Sequence, residues 1–325
     1  MPVANPVVPA ERLQLSANVA QWYYIEGLSQ EQIGARAGLS RIAVARLLNE
    51  ARKHKIVEIA IKPPIPTVPE LESRLMHSFG LRAVRVLERR TAGDAEALRA
   101  LGSLGALVLG DLLRDNSVFG IAWGSASQAV IRALTPRTLT GVRIVQLVGN
   151  VGMTYRQIDA AEQVRSAARV LQAQHVYINS PLVVSSREVA AALREDHSIA
   201  EALELAGHSD VALLGIGTTD PESCTTYQAG CISLEELQEL QAAGAVGAFC
   251  HFYFDLSGKP SPAQRLEECT IGISWEDLHR FGVVVAVAGG RQKARAILGA
   301  LRTGIPDVLV TDDVAAELVL SFAGA

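Results

Sequence analysis

The chain has four cysteines in 325 residues, at 224, 231, 250 and 269, and no two of them form a CxxC pair. This spacing argues against a zinc cluster and against a disulfide framework, and it fits a reducing cytoplasm. No run of eighteen apolar residues appears, so no membrane span is expected. The opening MPVANPVVPAERLQ lacks the basic region and apolar core of a secretory signal. Catalytic signatures are missing too. The seven histidines are scattered without an HExxH spacing, and there is no GxSxG elbow, Walker loop or complete dinucleotide fingerprint. Asp159 and Glu162 fall three apart on an expected helix, a spacing that most often marks a solvated face. The expectation is a chain without metal, without cofactor and without enzymatic chemistry.

The length suffices for two domains, and a composition of 49% hydrophobic and 20% charged residues suits a sizeable core. Charge is unevenly spread. Residues 1–62 hold eight Lys/Arg against five Asp/Glu, while the rest holds 22 against 29. A basic head on an acidic body suits contact with nucleic acid at one end.

The head spans residues 11–62. Leu13, Leu15, Val19, Trp22, Tyr23 and Ile25 fall near helical spacing, and Gly27 stops that helix. Ser29 with Gln32 forms the signature of a capping box, opening a short helix that runs to about Ala37. Gly38 supplies the turn, and Ser40 caps a third helix that runs to about Arg52. Ile33, Ala37, Leu39, Val44 and Leu47 stand where two steeply crossing helices pack, with Gly34 small at the crossing. This is the pattern of a helix-turn-helix. Ser29, Gln30, Ser40, Arg41, Ile42, Ala45, Arg46, Asn49 and Arg52 are left to face DNA. Arg41 and Arg46 suit guanine edges or phosphates, Ile42 or Ala45 a thymine methyl, and Arg52 with Lys53 and Lys55 the backbone. Ile56–Ile61 alternates like a short strand, the wing of a winged head. Residues 63–69, within a segment carrying four prolines in eight positions, read as a stiff linker.

In residues 70–325 the pattern changes to short apolar strands separated by helices, which predicts an α/β fold with a mostly parallel sheet covered on both faces. Strands are expected at Ala83–Leu87, Ser117–Ala122, Val142–Val148, His175–Ile178, Val211–Ile216, Val283–Ala288 and Val308–Thr311. Ligands of such sheets bind at the carboxyl ends of strands. Four loops there are unusual: the Gly-Ser turn Gly124-Ser125-Ala126-Ser127, then Gly149-Asn150-Val151-Gly152, then the loop through Gly217, and finally Gly289-Gly290 with Lys293 one turn into a helix. Free N–H groups and hydroxyls in the first suit a phosphate or sugar hydroxyl, and Lys293 suits an anion.

Taken together, these residues resemble the SorC family of bacterial sugar-responsive transcription regulators. The head segment WYYIEGLSQEQIGARAGLSRIAVARLLNEARKHKIVEI carries the likeness, as do GIAWGS (120–125), LVGNVG (147–152), SPLVV (180–184), ALLGIG (212–217), LQAAGAVG (240–247), AVAGG (286–290) and DVLVTDD (307–313). The resemblance implies a Rossmann-like effector domain similar to phosphosugar isomerases such as glucosamine-phosphate deaminase. It also implies a sugar, sugar-alcohol or sugar-phosphate effector and a homo-oligomer, dimer or tetramer, on palindromic double-stranded operator DNA. By the same likeness Ser125 lies in a phosphate-holding turn, Gly149, Asn150 and Gly152 in a neighbouring loop of the pocket, and Lys293 on the effector. Two positions depart from the pattern: Val148 replaces a cation of phosphosugar-sensing relatives, and Ala248 an acid that meets sugar hydroxyls. A different effector is expected, less charged or unphosphorylated. The alternative reading is a sugar-phosphate isomerase or deaminase with a DNA-binding head.

Overall fold

The computed structural model describes residues 9–57, 65–89, 93–151, 159–261 and 264–324. The chain divides into two compact units at residues 64 and 65. In the first unit α1 is Ala10–Tyr24, α2 is Gln30–Ala37 and α3 is Arg41–Lys53. Val19, Ala20, Ile33, Val44, Leu47, Leu48 and Ala51 form its core. Arg12 of α1 grips Glu50 of α3 with two hydrogen bonds, 2.9 and 2.7 Å, and this bonding holds the Glu50 carboxyl below its ordinary pKa.

The local chemistry of the head explains the turn. Ser29 accepts from the Gln32 N–H and donates its own N–H to Gln32 Oε1, closing the expected capping box. Gly38 ends α2 at φ 67°, a backbone conformation that glycine adopts without strain. A Cβ on Gly34 would stand 2.6 Å from the Leu39 carbonyl oxygen, so the chain can double back here because that atom is missing. The expected wing lies mostly outside the described residues. Ile56 and Val57, its first two positions, form a bend instead of a strand.

The second unit is built on a seven-stranded, wholly parallel sheet. Its strands are β1 (Ala83–Leu87), β2 (Val118–Ile121), β3 (Arg143–Gln146), β4 (Gln174–Val176), β5 (Val211–Gly215), β9 (Val283–Val287) and β10 (Val308–Asp312). They lie in the order β1-β10-β9-β5-β2-β3-β4. All seven expected strands are present, with ends shifted by up to two residues. Central strands such as VFGI and VVVAV read as continuous apolar runs because helices cover both faces. Residues 65–69, expected as linker, belong to this unit. Thr67 bridges to Leu87, and Pro69 is the first residue of the helix Pro69–Phe79, a position where its missing N–H costs nothing. Residues 63 and 64 lie outside the described residues.

A second sheet was not expected. It is antiparallel, β6 (Gly217–Thr218), β7 (Ala245–Phe249) and β8 (Phe252–Asp255), and it grows from the end of β5. β7 and β8 are joined by the two-residue turn Cys250-His251, with φ of 47° and 75°. Two positive φ values suit a hairpin whose twist matches its strands, but such turns ordinarily carry Asn or Gly. Nothing in the local sequence therefore announced one.

Gly34→Ala should destabilise the head by about 1–3 kcal/mol, the usual cost of forcing an atom into a filled contact. Thermal unfolding of the full chain would show the head melting earlier while the body's transition stays put. An unchanged head transition would refute the steric account of the turn.

Candidate DNA-reading face and effector cavity

On α3 two stripes run with the same spacing. Val44, Leu47, Leu48 and Ala51 are buried. Ile42, Ala45, Arg46 and Asn49 carry the same i, i+3, i+4, i+7 pattern displaced by two residues, which is roughly the opposite face. Ile42 is 82% exposed, and Arg41, Arg46, Asn49 and Arg52 are exposed with it. Arg41 sits 3.6 Å from Glu31, both side chains reaching solvent, so swapping that pair for a phosphate or a base costs little. Arg52 donates to Asn49 Oδ1 at 2.7 Å and fixes that amide on the same face. Ser29 and Ser40 cap α2 and α3, their oxygens accepting from Gln32 and Ala43 while their hydroxyl protons remain available. Gln30 is the first residue of α2. The nine residues selected from the sequence thus cluster on the α2–α3 side of the unit.

In the second unit the strand order turns at the β5–β2 neighbours. From β2 the chain winds outward to β3 and β4, and from β5 the other way to β9 and β10. A crevice at the carboxyl ends of the two strands follows from that divergence, and a cavity of about 60 Å³ lies there. Trp123 to Ala126 after β2 and Gly215 to Thr218 after β5 form two sides. Thr225, Thr226, Cys250, His251 and Tyr253 form a third, and Lys293 reaches in after β9. A wider space of about 250 Å³ adjoins past Ser125, Ala126 and Lys293, and Arg89, Gly289, Gly290 and Asp312 line it.

Of the residues proposed from sequence, Gly124, Ser125, Ala126, Gly217 and Lys293 meet in the cavity. The helix Ser125–Ala133 begins at Ser125, so its first N–H groups have no partner within the helix, the arrangement that suits an anion. Ser127 is a correction. It is fully buried, its Oγ finds no partner among the described residues, and it does not line the cavity. Gly149 and Asn150 are not in the wall either. Their N–H groups bond to Ile271 and Ser180, and Asn150 lines a separate depression. Gly152 lies outside the described residues. Lys293 closes the 3-10 turn Arg291–Lys293 before the helix Ala294–Arg302, rather than sitting within a longer helix. Val148 and Ala248, the two departures from the family pattern, both line the cavity. Composition gave no signal for Thr225, Thr226 or Tyr253, which arrive from segments that read as ordinary loop or strand.

The electrostatics of the wall are simple. Among the described residues it holds one ammonium, Lys293, and no carboxylate. Lys293 Nζ donates to the Ile216 carbonyl at 2.7 Å, which uses one of its three protons. Burial pushes its pKa down to about 8. The adjoining space differs, because Arg89 is paired there with Asp94 at 2.7 Å and faces Asp312 at 3.6 Å. Asp312 in turn accepts from the Gly290 N–H at 2.8 Å and shapes the double-glycine loop that leads to Lys293.

A helix with an exposed basic stripe and a crevice at the carboxyl ends of a parallel sheet fit a ligand-responsive transcriptional regulator. Comparison with known proteins agrees. The family model for a sugar-binding domain matches residues 64–321. The transcriptional regulator LsrR of Klebsiella pneumoniae is 32% identical over 315 residues, 95% of this chain and 94% of that protein. The deoxyribonucleoside regulator of Bacillus subtilis is 28% identical over 311 residues, 96% of this chain and 98% of that protein. The full-length sorbitol operon regulator SorC of Klebsiella pneumoniae superposes with a TM-score of 0.72 at 27% identity, covering 96% of this chain and all of that one. The chain belongs to the SorC family of sugar-binding transcriptional regulators.

Sulfate keeps its charge across the alkaline range, so it reports on Lys293 alone. Its affinity should hold up to about pH 8. Above that it should fall by roughly tenfold per pH unit as the ammonium is lost. Calorimetric titration across that range checks this, and a flat profile would remove Lys293 from the anion's contacts.

Proposed function

We propose that this chain is a cytoplasmic regulator of a carbohydrate or polyol catabolic operon. The exposed stripe of α3 reads operator DNA, and a small hydroxylated anion in the cavity sets the strength of that grip. The observation that carries the reading is the Lys293 ammonium, partly desolvated and without an ion pair among the described residues. A buried cation lacking its counter-charge is costly unless a ligand supplies one. With Val148 in place of a second cation, one anionic group is as much as the wall neutralises. This supports a singly anchored sugar phosphate, sugar-alcohol phosphate or sugar acid over a diphosphate.

The chain binds this ligand without consuming it. Support comes from a wall that holds, among the described residues, no carboxylate to act as acid or base, and from the relatives, which are transcriptional regulators. Two copies of the chain, or four, present paired recognition helices to a roughly palindromic operator with half-sites spaced by whole helical turns. Effector and operator are then linked reciprocally, each altering the other's affinity through the arrangement of the oligomer. Among the described residues no helix is long and apolar enough to cross a membrane.

Arg41→Ala and Arg46→Ala should each weaken operator binding, by about 1–3 kcal/mol where the arginine reads a base. Gel-shift affinities equal to wild type in both would refute the DNA-reading face. Lys293→Ala should hold operator DNA normally but no longer respond to effector. A variant still switched by effector would refute the cavity assignment.

A further inference from the structure

His251 stands in the cavity wall at the β7–β8 turn, 5% exposed. Its hydrogen bonding fixes its chemistry. The Thr270 hydroxyl donates its one proton to the Leu266 carbonyl at 2.7 Å, so towards His251 Nδ1, 3.0 Å away, it can only accept. The ring proton is therefore on Nδ1. That leaves Nε2 with a bare lone pair, and Nε2 is buried without a partner among the described residues. Burial also keeps the ring neutral, pushing its pKa down to about 4, with the Glu236 carboxylate opposing that shift weakly. Tyr253, the neighbouring aromatic of the wall, meets the imidazole edge to face at 5.5 Å, and its hydroxyl is engaged with Thr226 Oγ1 at 3.3 Å. Neither supplies the missing donor.

An unpaired acceptor in a buried position is destabilising, and here it is held by a turn in which a histidine adopts φ of 75°. Strain and an unmet lone pair at one residue, in the wall of the cavity, fit a group kept for a ligand.

We propose that His251 is the residue that reads a hydroxyl of the effector. Its Nε2 accepts that hydroxyl's proton in a hydrogen bond while the effector's anionic group sits between Lys293 and the amino end of the helix at Ser125. This rests on the anion-binding reading of the cavity and adds the ligand's second anchor. It assigns the effector class as a molecule with one anionic group and at least one free hydroxyl. It also accounts for Ala248: the carboxylate expected to meet hydroxyls is missing there, and an imidazole acceptor stands three residues on in the same wall.

The test is calorimetric titration of the full chain with inorganic phosphate, glycerol 3-phosphate, ribose 5-phosphate, 2-deoxyribose 5-phosphate and sorbitol 6-phosphate. At least one hydroxylated phosphate should bind roughly tenfold or more tightly than inorganic phosphate, the worth of a buried hydrogen bond made well. His251→Phe keeps the ring's volume but not its acceptor. It should bring that preference to within about threefold while inorganic phosphate binds as before. Lys293→Met should weaken every compound alike. A His251→Phe variant that keeps the full preference overturns this proposal and leaves the anion site standing. A Lys293→Met variant that binds all five normally overturns the anion site itself, and a wild-type chain that binds none of the five overturns both. Should His251→Phe fail to fold, His251→Asn, which tolerates the positive φ, replaces it in assigning the signals. Long-range proton–nitrogen spectra of the histidine-labelled full chain test the same role without relying on binding strength. The His251 ring should be the Nδ1–H tautomer, with Nε2 moving upfield as the hydroxylated phosphate is added. A proton resident on Nε2, or an Nε2 signal indifferent to the ligand, refutes the role.

Discussion

A parallel sheet gathers the carboxyl ends of all its strands along one edge, and the function of the larger unit depends on that constraint. Seven strands run the same way here, and the chain leaves β2 and β5 towards opposite flanks. Between two neighbours whose connections diverge, no crossover segment covers the edge, and a crevice remains. The Gly124-Ser125 turn, the Gly215-Ile216-Gly217 turn and Lys293 meet there because each lies at or just beyond the carboxyl end of a strand. Shifting the order of β2 and β5 would disperse them. Glycines in the first two turns leave backbone uncovered on two sides, while the third is built of side chains such as Thr225, Thr226 and Tyr253.

Within that crevice, charge separates two otherwise continuous spaces. Around Arg89 the guanidinium is already met by Asp94 and Asp312, and burial raises the Asp312 carboxyl while the Gly290 and Ala315 N–H groups and Arg89 hold it down. That side is close to neutral and structural: Asp312 also caps the last helix, Asp313–Ala323, through the Ala315 N–H. On the Lys293 side the partner is a neutral carbonyl. A carbonyl dipole offsets a fraction of the desolvation of a full charge, so the ammonium is less fully compensated than the Arg89 guanidinium of the adjoining space. The two basic residues differ in their partners, carboxylates for Arg89 and a carbonyl for Lys293, although both lie near the same loops.

How much of this could be read from the chain alone depends on where each signal is local. The capping box at Ser29, the φ at Gly38 and the two stripes of α3 are consequences of a few neighbouring residues, and they were legible. So were the seven parallel strands, because burial on both faces writes itself as an apolar run. The second sheet was not legible. β6 is two residues long, and the β7–β8 turn uses Cys250 and His251 where a hairpin ordinarily shows Asn or Gly. The difference between Ser125 and Ser127 was equally hidden: both lie in one Gly-Ser turn, but a helix starting at Ser125 turns Ser127 into the packed interior. Cavity walls assembled from distant segments, such as Thr225, Thr226 and Tyr253, leave no mark at any one of them.

The same locality explains where the individuality of this regulator resides. A helix that enters a groove must satisfy a fixed geometry, and its framework of caps, turn glycines and buried aliphatics answers to that geometry. The cavity obeys no such template. Where the resemblance implies a cation and an acid, Val148 and Ala248 put two uncharged side chains in one small wall. What changes is the number of charged anchors a ligand can find. A switch needs differential binding between two states of the protein, and typical couplings of about 1–3 kcal/mol are within reach of one or two well-placed polar contacts. One ammonium and one imidazole acceptor are therefore enough to run it. A ligand that engages just the ammonium would bind yet discriminate poorly between sugars, so the selectivity has to come from the uncharged side of the wall, where the hairpin places His251.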